Sequence, residues 1–199
     1  MIKINTEVQD LLTKLAVYSP TTYVHSKNVS NLAVSFGQYL GLSENDIEKL
    51  RIAGLLHDIG KLNIPTNILH KPSKLTEEEY ETIKKHPKEG VTLLVKTRLL
   101  NPEILTMIFY HHERIDGLGY PNGLKGNSIP DLVKILTICD CYEAMSAHRI
   151  YKMNEEIDIK NEFESNSGTQ FDSNYTQLFL NFLKENNYTD SKNDSKELK

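Results

Sequence analysis

The chain has 199 residues, 39% of them hydrophobic and 25% charged, which is enough for one domain with a substantial buried core. Lysine and arginine number 23 against 27 acidic residues, a formal net charge of −4 and a pI of about 6.0. That balance excludes a global basic field for polymeric nucleic acid, and no apolar run approaches the roughly 20 residues of a membrane span.

Helical periodicity dominates and no convincing strand alternation occurs, so the expected fold is an all-α helical bundle. A first amphipathic stretch over 6–18 carries Val8, Leu11, Leu12 and Leu15, and Pro20 marks its break. A second runs from about Thr22 to Tyr39 with Val29, Leu32, Ala33 and Phe36 on one stripe, ended by Gly41. Ser43 is an N-cap for a third helix, which delivers His57-Asp58 and stops near Gly60. Residues 61–75 read mostly as loop, after which Thr76 and Glu79 form a capping box. His86-Pro87 breaks that helix, and a further one follows to about Leu100. Pro102 opens the next, whose stripe of Ile104, Leu105, Ile108 and Phe109 leads to His111-His112.

The glycines between 114 and 129 indicate an ordered loop, and a helix carrying Asp140 is expected from Pro130 to His148. Residues 152–170 are polar and show no clear element, whereas 174–187 fit a short terminal helix. One domain is expected over 1–187, with a polar, disordered tail over 188–199. Met1-Ile2-Lys3-Ile4-Asn5 lacks the apolar stretch of a signal peptide. Cys139 and Cys141 are two apart on a helix, which splays them and disfavours a disulfide. These features point to a cytoplasmic location and to packing, rather than ligation, for the cysteines.

Five of the seven histidines and two aspartates form the series His25, His57-Asp58, His86, His111-His112 and Asp140. Imidazole nitrogen and carboxylate oxygen suit Fe, Mn, Zn, Co or Ni without thiolates. A carboxylate has two oxygens and can bridge two cations, the role expected of Asp58. Adjacent helical residues point about 100° apart, so His57 and Asp58 can flank one site from one helix, as can His111 and His112. Each ligating histidine needs a partner on its other ring nitrogen. Glu113 is a candidate for that, or for packing the loop that follows. Two dications balanced by two carboxylates and a hydroxide leave net positive charge, which Lys61, Arg149 and Lys152 would raise. A pair about 3.5–4 Å apart can activate water and stabilise the leaving oxygen of an in-line displacement. His70 and His148 read as ordinary histidines. Glu77-Glu78-Glu79 reads as a solvated first helical turn.

Two strings carry the most information: His57-Asp58-Ile59-Gly60-Lys61, and the run from His111-His112-Glu113 to Gly119-Tyr120-Pro121. With them come His25-Ser26, Ile64-Pro65, Lys74-Leu75-Thr76, His86-Pro87 with Gly90, Ile135 through Asp140, and Gly168-Thr169-Gln170-Phe171-Asp172. Over roughly residues 15–180 the chain resembles the HD-GYP family of the HD hydrolase superfamily. The resemblance implies a phosphodiesterase acting on cyclic dinucleotides, typically cyclic di-GMP; the expected product is linear pGpG, with a second cut to GMP left open. It implies one metal on His25, His57, Asp58 and Asp140 and a second on Asp58, His86, His111 and His112. Lys61 would contact the scissile phosphate, Arg149 and Lys152 would touch ligand phosphates, and Gly119-Tyr120-Pro121 would shape the loop beside the nucleotide. Thr21 stands where some members carry a glutamate for a third metal, so two ions are expected. Lys134, Glu143, Ile150 and Asn63 depart from the usual residues without removing a ligand.

The expected chemistry is attack on phosphorus by a metal-bridging hydroxide, with iron or manganese as the leading metals. One rival is a non-catalytic module that binds a cyclic dinucleotide or a regulatory protein. Another is an HD phosphohydrolase acting on a different nucleotide. A homodimer is also compatible with the sequence.

Overall fold

The computed structural model describes residues 4–97, 101–151 and 158–186, with side chains described only to residue 147 in the second segment. Ten α-helices follow one another over these residues, with one isolated bridge between Ser167 and Phe171 in place of a sheet. They are α1 (Thr6–Tyr18), α2 (Pro20–Tyr39), α3 (Glu44–Leu56), α4 (Thr66–Leu69), α5 (Glu77–Ile83), α6 (His86–Lys96), α7 (Pro102–Tyr110), α8 (Asp131–Tyr151), α9 (Ile159–Ser165) and α10 (Ser173–Glu185). A 3₁₀ helix, Ile59–Asn63, joins α3 to α4. No helix among the described residues is long and apolar enough to cross a membrane.

The caps follow the residue chemistry. Ser43 accepts from the Asp46 amide at the start of α3, and Thr76 and Glu79 complete the reciprocal box at the start of α5. Asn101 accepts from the Glu103 and Ile104 amides ahead of α7. Pro20 begins α2 instead of merely ending α1: it occupies the first turn, where the missing N–H costs nothing. Pro87 does the same in α6, and Thr97 already caps that helix, short of the expected Leu100. Helix α4 lies in the expected loop and α9 in the stretch with no clear element. Helix α9 is capped by Asp158 and buries Ile159 and Phe163. The tail over 188–199, Lys152 and the side chains of His148 and Arg149 lie outside the described residues.

The core is continuous. Helix α2 packs along α3 and α8 and contributes Val29, Ala33 and Phe36, each fully buried. Phe36, Phe163, Phe179 and Phe182 form an aromatic cluster that holds α9 and α10 against the bundle. This packing brings the C-terminal ends of α3 and α7, the N-terminal end of α6, the second turn of α2 and the middle of α8 to one place.

Candidate metal centre

All seven histidine and aspartate side chains of the spaced series meet there. His57 and His111 are the C-cap residues of α3 and α7, His86 opens α6, and His25 and Asp140 project from α2 and α8. The potential ligand atoms of His25, His57 and Asp58 lie within 4.8 Å of one another. So do those of His86, His111 and His112, and those of His57, His111 and Asp140. His57, Asp58, His86 and His111 are almost completely buried.

The Asp58 oxygens face two ways. Oδ1 lies 3.3 Å from His86 Nε2, whereas Oδ2 lies 3.4 Å from His57 Nε2 and 3.9 Å from His25 Nε2. Asp140 Oδ1 lies 2.9 Å from His25 Nε2 and 3.5 Å from His57 Nε2. Three rings are oriented by the backbone just before them, His57 and His111 by α3 and α7 and His86 by the last residue of α5. His57, His86 and His111 each place Nδ1 2.8 Å from the carbonyl three residues earlier, that of Gly54, Ile83 and Ile108. A carbonyl only accepts, so Nδ1 donates, and each ring in its neutral form turns its Nε2 lone pair to the centre.

Two observations test whether this set suits a cation. His57 Nε2 is buried without a hydrogen-bond partner. His86 Nε2 and His111 Nε2 face each other at 3.1 Å while both Nδ1 protons are committed to carbonyls, so two lone pairs point at one another. Nitrogen and carboxylate donors arranged this way fit a divalent metal.

The centre is electrostatically divided. Burial lowers the His25 and His57 pKa values, but the carboxylates around them outweigh it. His25, bonded to Asp140 and Glu143, is held at about 9, and His57, beside Asp58 and Asp140, at about 10. Burial would raise Asp58 and Asp140, yet both remain well below the ordinary carboxylate range. Lys61 and His57 hold down Asp58, and His57 and His25 hold down Asp140. On the other side desolvation wins. His86 falls to about 3, His112 to about 4, and His111 far below its ordinary value. His111 and His112 are thus neutral donors at physiological pH, as is His86.

Of the other expected residues, those whose side chains are described take these places. Lys61 donates to Asp58 Oδ2 at 2.6 Å and lines a cavity of about 600 Å³ above His86, His111 and His112. Gly119 and Tyr120 line the same cavity, and the Tyr120 ring lies 4.7 Å from that of His112. Pro121 follows on the loop. Glu113 orients no ligand histidine among its described contacts. Its buried carboxylate accepts from the amides of Asn122 and Leu124 and so pins the glycine-rich loop. Arg114 ties the loop to Asp116 and Gln170, and the Asp116 amide bonds the Thr169 carbonyl. This gives the Gly168–Asp172 stretch a mechanical role.

The carboxylate that orients His25 is Glu143, bonded to Nδ1 and also accepting from Asn28 at 2.8 Å. Sequence reading noted Glu143 only as a departure, although its position one helical turn after Asp140 was a usable signal. Cys139 is buried in the core, and Cys141 lines the cavity, accepting from Gln170 at 3.4 Å. His70 lies away from the centre, near the Tyr18 carbonyl.

A family profile described as HD domain matches residues 10–174. A cyclic di-GMP phosphodiesterase of Pseudomonas aeruginosa is 38% identical over 141 residues, covering 71% of this chain and 34% of that protein. A cyclic di-GMP phosphodiesterase of Thermotoga maritima is 36% identical over 185 residues, covering 90% of this chain and 50% of that protein. The chain therefore spans between a third and a half of the length of these relatives. Among solved structures, the HD domain of an L. monocytogenes phosphodiesterase in complex with cyclic-di-AMP aligns with a TM-score of 0.66 at 21% identity. That alignment covers 90% of this chain and 96% of the other, and it is a likeness of fold.

Proposed function

Since this chain belongs to the HD domain family, in its HD-GYP branch, we propose that it is a metal-dependent phosphodiesterase cleaving a cyclic dinucleotide, cyclic di-GMP foremost, to linear pGpG. The carrying observation is Asp58, whose two oxygens face two different histidine groups. In this reading His25, His57, Asp58 and Asp140 hold one divalent ion, and Asp58, His86, His111 and His112 hold another. Iron and manganese are the leading candidates. When bound, such a pair supplies Lewis acidity and an activated water.

The protein's own part is positioning and charge. Lys61 presents its ammonium to the cavity from beside Asp58, where it neutralises charge developing on the phosphate and can protonate the leaving oxygen. Glu113 holds the 119–124 loop in place from below, and Tyr120 covers the His112 ring. Arg149 and Lys152 remain family-based candidates for phosphate contact. The catalytic domain is taken to be 1–187.

Anaerobic purification, metal analysis and a turnover assay with Mn²⁺ or Fe²⁺ on the same sample test this reading. Close to two ions per chain and conversion of cyclic di-GMP to a linear product are expected. Tight binding without turnover would favour a non-catalytic signalling module, and turnover of only a different nucleotide would move the substrate class. Lys61→Ala should lower turnover about 10²–10³-fold, the effect of removing one charge-stabilising donor, with metal content intact. Loss of both would make Lys61 a support of the metal centre.

The pKa pattern gives a second expectation. At pH 7 the metal-free chain carries protons on His25 and His57 but not on His86, His111 or His112. Ligation requires neutral rings. Filling the His25–His57 half should therefore release about two protons, and its affinity should rise with pH until about 9–10. The other half should release none and show little dependence above about pH 4. Calorimetric Mn²⁺ titrations in buffers of different ionisation enthalpy read both. Equal proton release from the two halves would contradict the division.

A further inference from the structure

Helix α5 turns its apolar side chains away from the core. It is seven residues long, is closed by the Thr76–Glu79 box and has no buried residue. Tyr80 and Ile83 stand three apart and share a face. Neither belongs to the hydrophobic core cluster, yet both line the cavity that also contains Lys61 and the His86, His111 and His112 rings. Tyr80 is 49% exposed, and Leu118, on the loop side of the same cavity, is 79% exposed. An apolar helix face needs an apolar surface to meet, and here it looks onto the space above the metal ligands.

The neighbouring rings separate Tyr80 from Tyr120. Tyr120 lies against His112 with a 31° interplanar angle, so one of its faces is taken. Lys84, just past the end of α5, places its ammonium 5.7 Å from the Tyr80 centroid and 5.5 Å from that of Tyr120, and is itself held by Glu81 at 2.7 Å. The cation links α5 to the loop wall and leaves Tyr80 half-exposed at the mouth. A cavity of about 600 Å³ is in the range of small-ligand sites.

We propose that Tyr80, backed by Ile83 and faced across the mouth by Leu118, is a nucleobase platform. With a phosphodiester at Lys61, the attached base stacks on the Tyr80 ring. Stacking is tolerant of base identity because every base has a π-face, so Tyr80 sets affinity for the dinucleotide more than the choice of base. This inference rests on the phosphodiesterase reading above and adds a binding residue to it.

The experiment uses the metal-loaded full chain with cyclic di-GMP, and in parallel a cyclic dinucleotide carrying 2-aminopurine, whose emission is quenched by stacking. Tyr80→Ala should raise KM about tenfold or more, with a smaller change in kcat, unchanged metal content and loss of the quenching. Tyr80→Phe keeps the ring and should behave like the unmodified chain. Unchanged KM and persistent quenching in Tyr80→Ala would overturn the platform while leaving the phosphodiesterase reading intact. An unmodified chain that binds two metals but neither binds nor cleaves any cyclic dinucleotide would overturn that reading, and the platform with it.

Discussion

Asp58→Asn should abolish the paired metal centre and reduce cyclic dinucleotide turnover by about 10³-fold or more. The substitution keeps the shape of the side chain, so the effect is chemical. One Asp58 oxygen faces His86 at 3.3 Å, and the other faces His57 at 3.4 Å and Lys61 at 2.6 Å. An asparagine can offer an oxygen to only one of these sides, because its other terminal atom is an amide nitrogen with no lone pair for a metal. The variant also removes a buried negative charge that the adjacent ammonium and imidazole groups rely on. Metal contributions to such reactions are several kcal/mol, and each ~1.4 kcal/mol is tenfold in rate. Metal analysis should find at most one ion per chain, and circular dichroism should show the helices retained. Two ions with full turnover would refute the bridging role. One ion with full turnover would show that a single metal suffices.

The histidine and aspartate side chains that converge here were legible in the sequence because their positions are tied to local structure. His57 and His111 follow strongly periodic apolar helices that end where the histidines begin, and each is oriented by a carbonyl three residues earlier. Such short-range geometry can be read along the chain. The partner of His25 had only an indirect signal, the place of Glu143 one helical turn after Asp140, because Glu143 lies 118 residues away and meets His25 only through the packing of α2 on α8. Helix α9 was missed because its polar residues carry no stripe beyond Ile159 and Phe163, which are buried only once α10 is in place. The orientation of Tyr80 was illegible for a related reason. An i, i+3 apolar pair predicts a buried face without saying whether it faces core or cavity. For Glu113 both roles were open, and the loop amides of Asn122 and Leu124 favour the packing role.

Gly60→Ala should be the most damaging change outside the proposed ligands, and the reason lies in backbone contact. A Cβ at Gly60 would stand 1.9 Å from the His86 carbonyl oxygen and 2.4 Å from the Gly90 amide nitrogen, where ordinary contact begins at 3.4 Å. Both obstacles are main chain in the first turns of α6, so no side chain can rotate aside. Relief requires the 3₁₀ segment and α6 to separate, and these two pieces carry Asp58 and His86, whose 3.3 Å approach brings the two halves of the centre together. The expected cost is about 3 kcal/mol, the upper end for overpacking, or a fall in melting temperature of about 6–12 °C for a chain of this size. Metal content should fall with it. Gly90→Ala is the internal control, because its Cβ would meet Gly60 and two isoleucine methyls at 3.3–3.4 Å, which small adjustments can absorb. A Gly60→Ala chain that melts beside the unmodified protein and keeps both ions would mean that the two segments can part without disturbing the site. In that case the proximity of Asp58 and His86 would have to depend on other contacts.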